Sequence, residues 1–145
     1  MLNQSADYAV RAVLFVAQRD SGRSCTAGVI ARAIGVPRNY LGKVLHALAT
    51  ARVLTSVRGP RGGFRLARSA DELTLADVAG PFQRLPERTV CLLGDRSCDP
   101  AHPCGSHAQW QSMADQMTAF FRTTTISALL GGAPSSTNSL LEEDA

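Results

Sequence analysis

Between Thr26 and Ala67 two short runs of helical periodicity are followed by a stretch that no helix tolerates, and this order constrains the fold more than any other feature. Val29, Ile30, Ala33 and Ile34 recur at three- and four-residue intervals after Thr26 and stop at Gly35. This is the order of an N-cap, a short helix and a C-terminal glycine. Val36-Pro37 reads as a turn, after which Tyr40, Leu41, Val44, Leu45, Leu48 and Ala49 repeat at helical spacing to Ala51. Pro37, with its preset φ and missing N–H, suits the opening of that helix. Next, Val53–Arg58 and Phe64–Ala67 flank the tip Gly59-Pro-Arg-Gly-Gly63, which predicts a β-hairpin.

Two helices, a tight turn between them and a basic hairpin predict a winged helix-turn-helix in a mostly α chain. An amphipathic helix precedes it over Ala6–Gln18, where Tyr8, Ala9, Ala12, Val13, Phe15 and Val16 mark one face. Thr74 opens a further short helix from Leu75 to about Phe82. Pro86 to Gly105 carries no periodicity and is rich in Cys, Gly, Pro and Asp, too long for a plain connector. From about Ser106 the spacing predicts one long helix, with Trp110, Met113, Met117, Phe120, Ile126, Leu129 and Leu130 on an apolar stripe. No other helix in so short a chain covers that stripe, which predicts a dimer seam. The expected organisation is a winged helix-turn-helix domain over 1–84, a cysteine-rich loop over 85–105, a dimerisation helix over 106–130 and a disordered acidic tail over 131–145.

Charge is divided unevenly along the chain. Residues 1–68 hold eleven basic and two acidic groups, and residues 69–145 hold four basic and ten acidic groups. The first part therefore expects an anionic partner, double-stranded DNA. Fourteen of the fifteen cations are Arg, whose planar fork matches phosphate and guanine edges, although a GC-rich genome gives the same bias. At the start of the second helix of the motif lie Arg38, Asn39, Tyr40 and Lys43. Arg38, Asn39 and Lys43 are the expected base and phosphate contacts, and the alternative is a solvated helix start with Tyr40 half-buried.

In the hairpin, Arg58, Arg61 and Arg65 surround Gly59, Gly62 and Gly63, which let backbone approach a phosphate or enter a narrow minor groove. A nucleotide-cradling loop does not fit, because GPRGG lacks the following Lys-Ser/Thr. No run is long and apolar enough for a membrane span, and Asp7 and Arg11 interrupt the segment where a signal peptide would sit, so a cytoplasmic protein is expected.

Cys91, Cys98 and Cys104 are separated by six and five residues within the loop, while Cys25 stands apart beside the first helix of the motif. Three thiols are an odd set for disulfides and a natural set for a metal centre. Zinc favours C-x2-C pairs, which are absent, so the irregular spacing leans towards an iron-sulfur cluster. His107, one helical turn from Cys104, and Asp7 are the candidates for a fourth donor, with His102 a third. Cys25 reads as a small buried apolar residue. A thiol-redox or zinc-dependent DNA-binding regulator without a cluster is the alternative. An enzyme is not expected, since no oxyanion hole or substrate pocket accompanies the thiols.

With these pieces assembled, the chain from about Met1 to Leu130 resembles the IscR/NsrR family of iron-sulfur winged-helix regulators. The resemblance is carried by Asp7-Tyr-Ala-Val-Arg-Ala, Val36-Pro-Arg-Asn-Tyr-Leu-Gly-Lys, Val57-Arg-Gly-Pro-Arg-Gly-Gly-Phe-Arg-Leu and Pro103-Cys-Gly-Ser-His-Ala-Gln-Trp110. It implies a homodimer with crossing C-terminal helices and promoter binding that changes with cluster state, in response to nitric oxide, oxygen, iron or redox change. It also implies major-groove roles for Tyr40 and Lys43 and a minor-groove role for Arg58 and the glycines after it. Members similar to IscR hold a 2Fe-2S cluster with three Cys and a His at the His107 position. NsrR-like members hold 4Fe-4S with an Asp at the Asp7 position. This chain carries both residues.

Overall fold

The computed structural model describes residues 2–19, 22–85, 91–93 and 99–131. Helix α1 (Gln4–Gln18) starts two residues before the apolar periodicity does, because Asn3 caps it and its side-chain oxygen accepts the Ala6 amide at 2.8 Å. Ala6, Ala9, Val10, Ala12, Val13, Leu14, Phe15 and Val16 are all buried, more than one face of a surface helix provides. The helix is the axis of the fold and touches nearly every element introduced below. Its one basic residue, Arg11, donates to the Ile34 carbonyl at 2.8 Å and so locks α1 to the end of the next helix.

Helix α2 (Ala27–Ile34) is capped by Thr26, which accepts the Val29 amide at 3.2 Å, and ends at Gly35 in the left-handed region at φ 68°. After the turn, α3 (Arg38–Thr50) begins with Pro37 at its N-cap. Leu41, Leu45 and Leu48 of α3 are each 0% exposed. At about 2 kcal/mol per buried leucine, this packing outweighs the weak propensity of so short a helix. Strands β1 (Leu54–Val57) and β2 (Gly63–Leu66) pair antiparallel, with Leu54 opposite Leu66 and Val57 opposite Gly63. A third extended segment joins them. Cys25 and Phe64 exchange backbone hydrogen bonds of 2.8 and 2.7 Å, fastening the α1–α2 loop to the wing.

Helix α4 (Leu75–Ala79) opens with a reciprocal cap in which Thr74 accepts the Asp77 amide and Asp77 accepts the Thr74 amide. It stops short of Phe82 because Pro81, which has no N–H, follows Gly80. The beginning and end of this domain are knotted together. The Asn3 amide donates to the Gln83 side chain and the Asn3 side chain donates to the Phe82 carbonyl, both at 2.7 Å.

The expected single long helix is two helices, α5 (His107–Thr123) and α6 (Ile126–Gly131). Thr123, Thr124 and Thr125 are poor helix formers, and Thr124 turns extended at φ −79°, ψ 114°. Competing hydrogen bonds then take over: the Thr124 carbonyl accepts the Leu75 amide at 2.9 Å, and the Ile126 amide donates to the Leu73 carbonyl at 2.8 Å. Ile126 consequently enters the core against α1 at 0% exposure instead of continuing the stripe of α5. Most of the expected acidic tail, 132–145, lies outside the described residues.

Candidate functional site

The first turn of α3 emerges from the core with Arg38 and Asn39 fully outward, and Lys43 follows on the Asn39 face one turn later. None of the three has an ion-pair or hydrogen-bond partner among the described residues. Leu41, Val44 and Leu45 point inward and fix the rotation of the helix that presents them. His46 is exposed three residues beyond Lys43 and extends the same stripe. It is missed by attention to the helix start, and counting four and seven residues on from Asn39 would have found it.

Tyr40 differs from its neighbours. It is 37% exposed, its hydroxyl shares a 2.6 Å hydrogen bond with the Ser5 hydroxyl, and its ring meets Tyr8 edge-on at 5.6 Å. Gln4 in turn donates to the Tyr8 hydroxyl at 2.9 Å. The tyrosine pair therefore braces α3 against the first turn of α1, and only part of Tyr40 faces solvent.

In the wing, Arg58, Arg61 and Arg65 are exposed. Gly59 sits at φ 106° and its carbonyl accepts the Gly62 amide at 2.8 Å, closing the tip. A Cβ on Gly62 would strike the Val57 and Gly59 carbonyls, and one on Gly63, at φ 147°, would strike the Cys25 carbonyl. The fold itself thus requires both glycines.

Of the loop thiols, Cys91 and Cys104 are free and half-buried, and Cys98 lies outside the described residues. Cys104 lies three residues before the start of α5 and its carbonyl accepts the His107 amide at 3.0 Å, so His107, half-buried, opens the helix one turn away. His102 is exposed and bonded to Asp99 at 2.9 Å, and this bond, then the Ala101 amide, hold the Asp99 carboxyl below its usual range. Asp7 projects from α1 towards Arg11, 3.8 Å away. Cys25 is buried, and burial pushes its thiol up, an effect that the charge of Arg19 partly offsets.

Among the described residues no three His, Cys, Asp or Glu side chains converge. The donor chemistry of Cys91, Cys104 and His107, thiols and an imidazole that are neither sealed in the core nor cross-linked, nonetheless fits iron. On α5, Met113 and Phe120 are 61% and 51% exposed and Trp110 and Met117 are half-buried, so the expected stripe stays on the surface. Among the described residues no helix is long and apolar enough to cross a membrane.

Similarity to known proteins agrees with this layout. An HTH-type transcriptional regulator of Aquifex aeolicus is 35% identical over 133 residues, 90% of this chain and 91% of the relative. The regulator IscR of Escherichia coli O1:K1 is 28% identical over 129 residues, 89% of this chain and 79% of its own length. Among solved structures, CymR, the global cysteine regulator of B. subtilis, superposes with a TM-score of 0.77 at 20% identity, covering 92% of this chain and 98% of that one. IscR of T. potens superposes at 0.72 and 19% identity, covering 90% and 85%. These two likenesses show the fold, a winged helix. The family described as iron-dependent transcriptional regulators matches residues 2–132. The chain belongs to that family, Rrf2, whose members are DNA-binding transcription regulators and not enzymes.

Proposed function

We propose that this protein is a cytoplasmic, homodimeric repressor whose binding to a promoter operator is set by an iron-sulfur cluster held by Cys91, Cys98 and Cys104. The observation that carries the reading is the run of three cysteines leading directly into α5, with Cys104 and His107 one turn apart at its start. His107 is the favoured fourth donor on that ground. Asp7 would serve only by giving up its contact with Arg11. When bound, the cluster, 2Fe-2S or 4Fe-4S, supplies a centre that reacts with nitric oxide, oxygen or redox partners.

The chain's own residues do the rest. Arg38, Asn39 and Lys43 meet base edges and phosphates in the major groove, with Tyr40 contributing the edge of its ring that is left exposed. Arg58, Arg61 and the Gly62-Gly63 backbone track the minor groove. The cysteine loop joins the reading head to α5, so its ordering biases the separation of two recognition helices in a dimer, which a two-fold operator senses as half-site spacing.

Protein purified without air should be brown and contain iron and acid-labile sulfide, and Cys98→Ala should bleach it. Colourless wild-type protein free of both would overturn the cluster. A second reading, a thiol-redox or zinc-dependent regulator without a cluster, is favoured by the free, half-buried thiols of Cys91 and Cys104 and by the likeness to a cysteine regulator. Zinc without sulfide, or a change in DNA binding on oxidation of metal-free protein, would select it.

A further inference from the structure

Between the α1–α2 loop and the tip of the wing runs an open groove of about 670 Å3, with Gly22, Arg23 and Thr26 on one wall and Arg61, Gly62 and Arg65 on the other. Three of its lining residues are arginines, and none of its described lining residues is acidic. Arg23, Arg61 and Arg65 are exposed and have no ion-pair or hydrogen-bond partner among the described residues. Three unneutralised cations in one groove repel each other and concentrate positive potential, an arrangement that an anion relieves.

The walls are also fixed in place. The paired backbone bonds between Cys25 and Phe64 staple the loop to the wing, and Gly63 permits the close approach because any side chain there would meet the Cys25 carbonyl. The groove therefore exists before anything enters it, and α2, capped by Thr26, adds the positive end of its dipole. No aromatic ring is among the described lining residues on which a base or a mononucleotide could stack. A site that grips phosphate and leaves the rest of the ligand outside suits a polymer backbone.

We propose that this groove clasps a phosphodiester of the DNA backbone beside the operator half-site, with Arg23 and Arg65 as phosphate contacts separate from the base-reading residues of α3. The inference rests on the reading of the chain as a DNA-binding regulator. Such contacts set the register of the protein on the duplex and carry no base preference. Arg61 then reaches onward from the same groove towards the minor groove.

The test uses full-length protein and a duplex that the wild type selects from a randomised pool, with a scrambled duplex alongside. Arg23→Gln and Arg65→Gln should weaken both duplexes alike, and each, by removing one contact in each half-site of the dimer, should reduce the slope of log affinity against log salt by about two. Arg23→Lys should restore the slope, since a phosphate contact needs the charge and not the fork. Phosphate-ethylation interference with the wild type alone should mark one phosphate per half-site outside the stretch that α3 reads, which keeps the test valid if a glutamine variant folds poorly, and the absence of such a phosphate would overturn the clasp. Unchanged affinity and slope in both glutamine variants would overturn the clasp alone, as would weakening confined to the selected duplex. Failure of the wild type to retain any duplex would overturn the DNA reading and the clasp with it.

Discussion

At the scale of single residues, Gly63 shows how one position can answer to two demands. In the sequence it stands among glycines that offer backbone to a phosphate, but its lack of a side chain is already required by the Cys25 carbonyl and by φ 147°. Gly63→Ala should therefore destabilise the fold by more than about 2 kcal/mol in urea unfolding. Gly59→Ala, at φ 106° but in open space, should cost only about 1 kcal/mol. Equal losses would remove the stapling role of Gly63. Cys25, on the other side of that contact, was legible from its distance to the other thiols, and its burial follows from the pairing with Phe64. Because burial raises its thiol, Cys25 should be alkylated last, after Cys91 and Cys104, when the folded metal-free protein is treated near neutral pH and cleaved for mass spectrometry. The same shift fixes a sign. The unfolded chain loses this proton first, so the urea midpoint should fall as pH rises past the ordinary thiol range and should not move on its account below it.

Among the elements, those with a repeating pattern and a capping residue were readable, and those made by distant pairing were not. Helices α2 and α3, the turn at Gly35 and the hairpin follow from local periodicity and turn chemistry. The Cys25–Phe64 bridge involves a single residue on one side and leaves no period to detect. The interruption between α5 and α6 depends on carbonyl and amide partners at Leu73 and Leu75, some fifty residues away in sequence, which an apolar stripe cannot reveal. The reciprocal cap of α4 ought to matter beyond its own short length, because Thr74 also bridges Thr125. Thr74→Ala should cost about 1 kcal/mol in thermal or urea unfolding. Tyr40→Phe should cost a similar amount, about 1 kcal/mol, by deleting the bond to Ser5 while keeping the ring contact with Tyr8. A Tyr40→Phe protein of undiminished stability would show that the brace between α1 and α3 contributes nothing.

For the whole molecule, charge is divided along the chain: the exposed arginines of the wing and the start of α3 lie in its basic part, and the apolar stripe of α5 lies in its acidic part. The residues proposed to face DNA were legible because a helix start and a hairpin tip are local features. The proposed metal donors were legible as a set of residue types, but not as a geometry, because Cys98 lies outside the described residues and the others do not converge. If α5 forms the seam between two copies, wild-type protein should scatter light as a dimer, and Phe120→Glu, which buries a charge in that seam, should scatter as a folded monomer with much weaker operator binding. A wild-type monomer would remove the seam. The two hydrogen bonds that Asn3 donates, to the Phe82 carbonyl and the Gln83 side chain, have a practical corollary. Because these bonds place the amino terminus beside the segment from which the cysteine loop departs, a purification handle is better fused at the opposite terminus, and cofactor content or DNA titrations obtained with an amino-terminal fusion should be repeated after its removal.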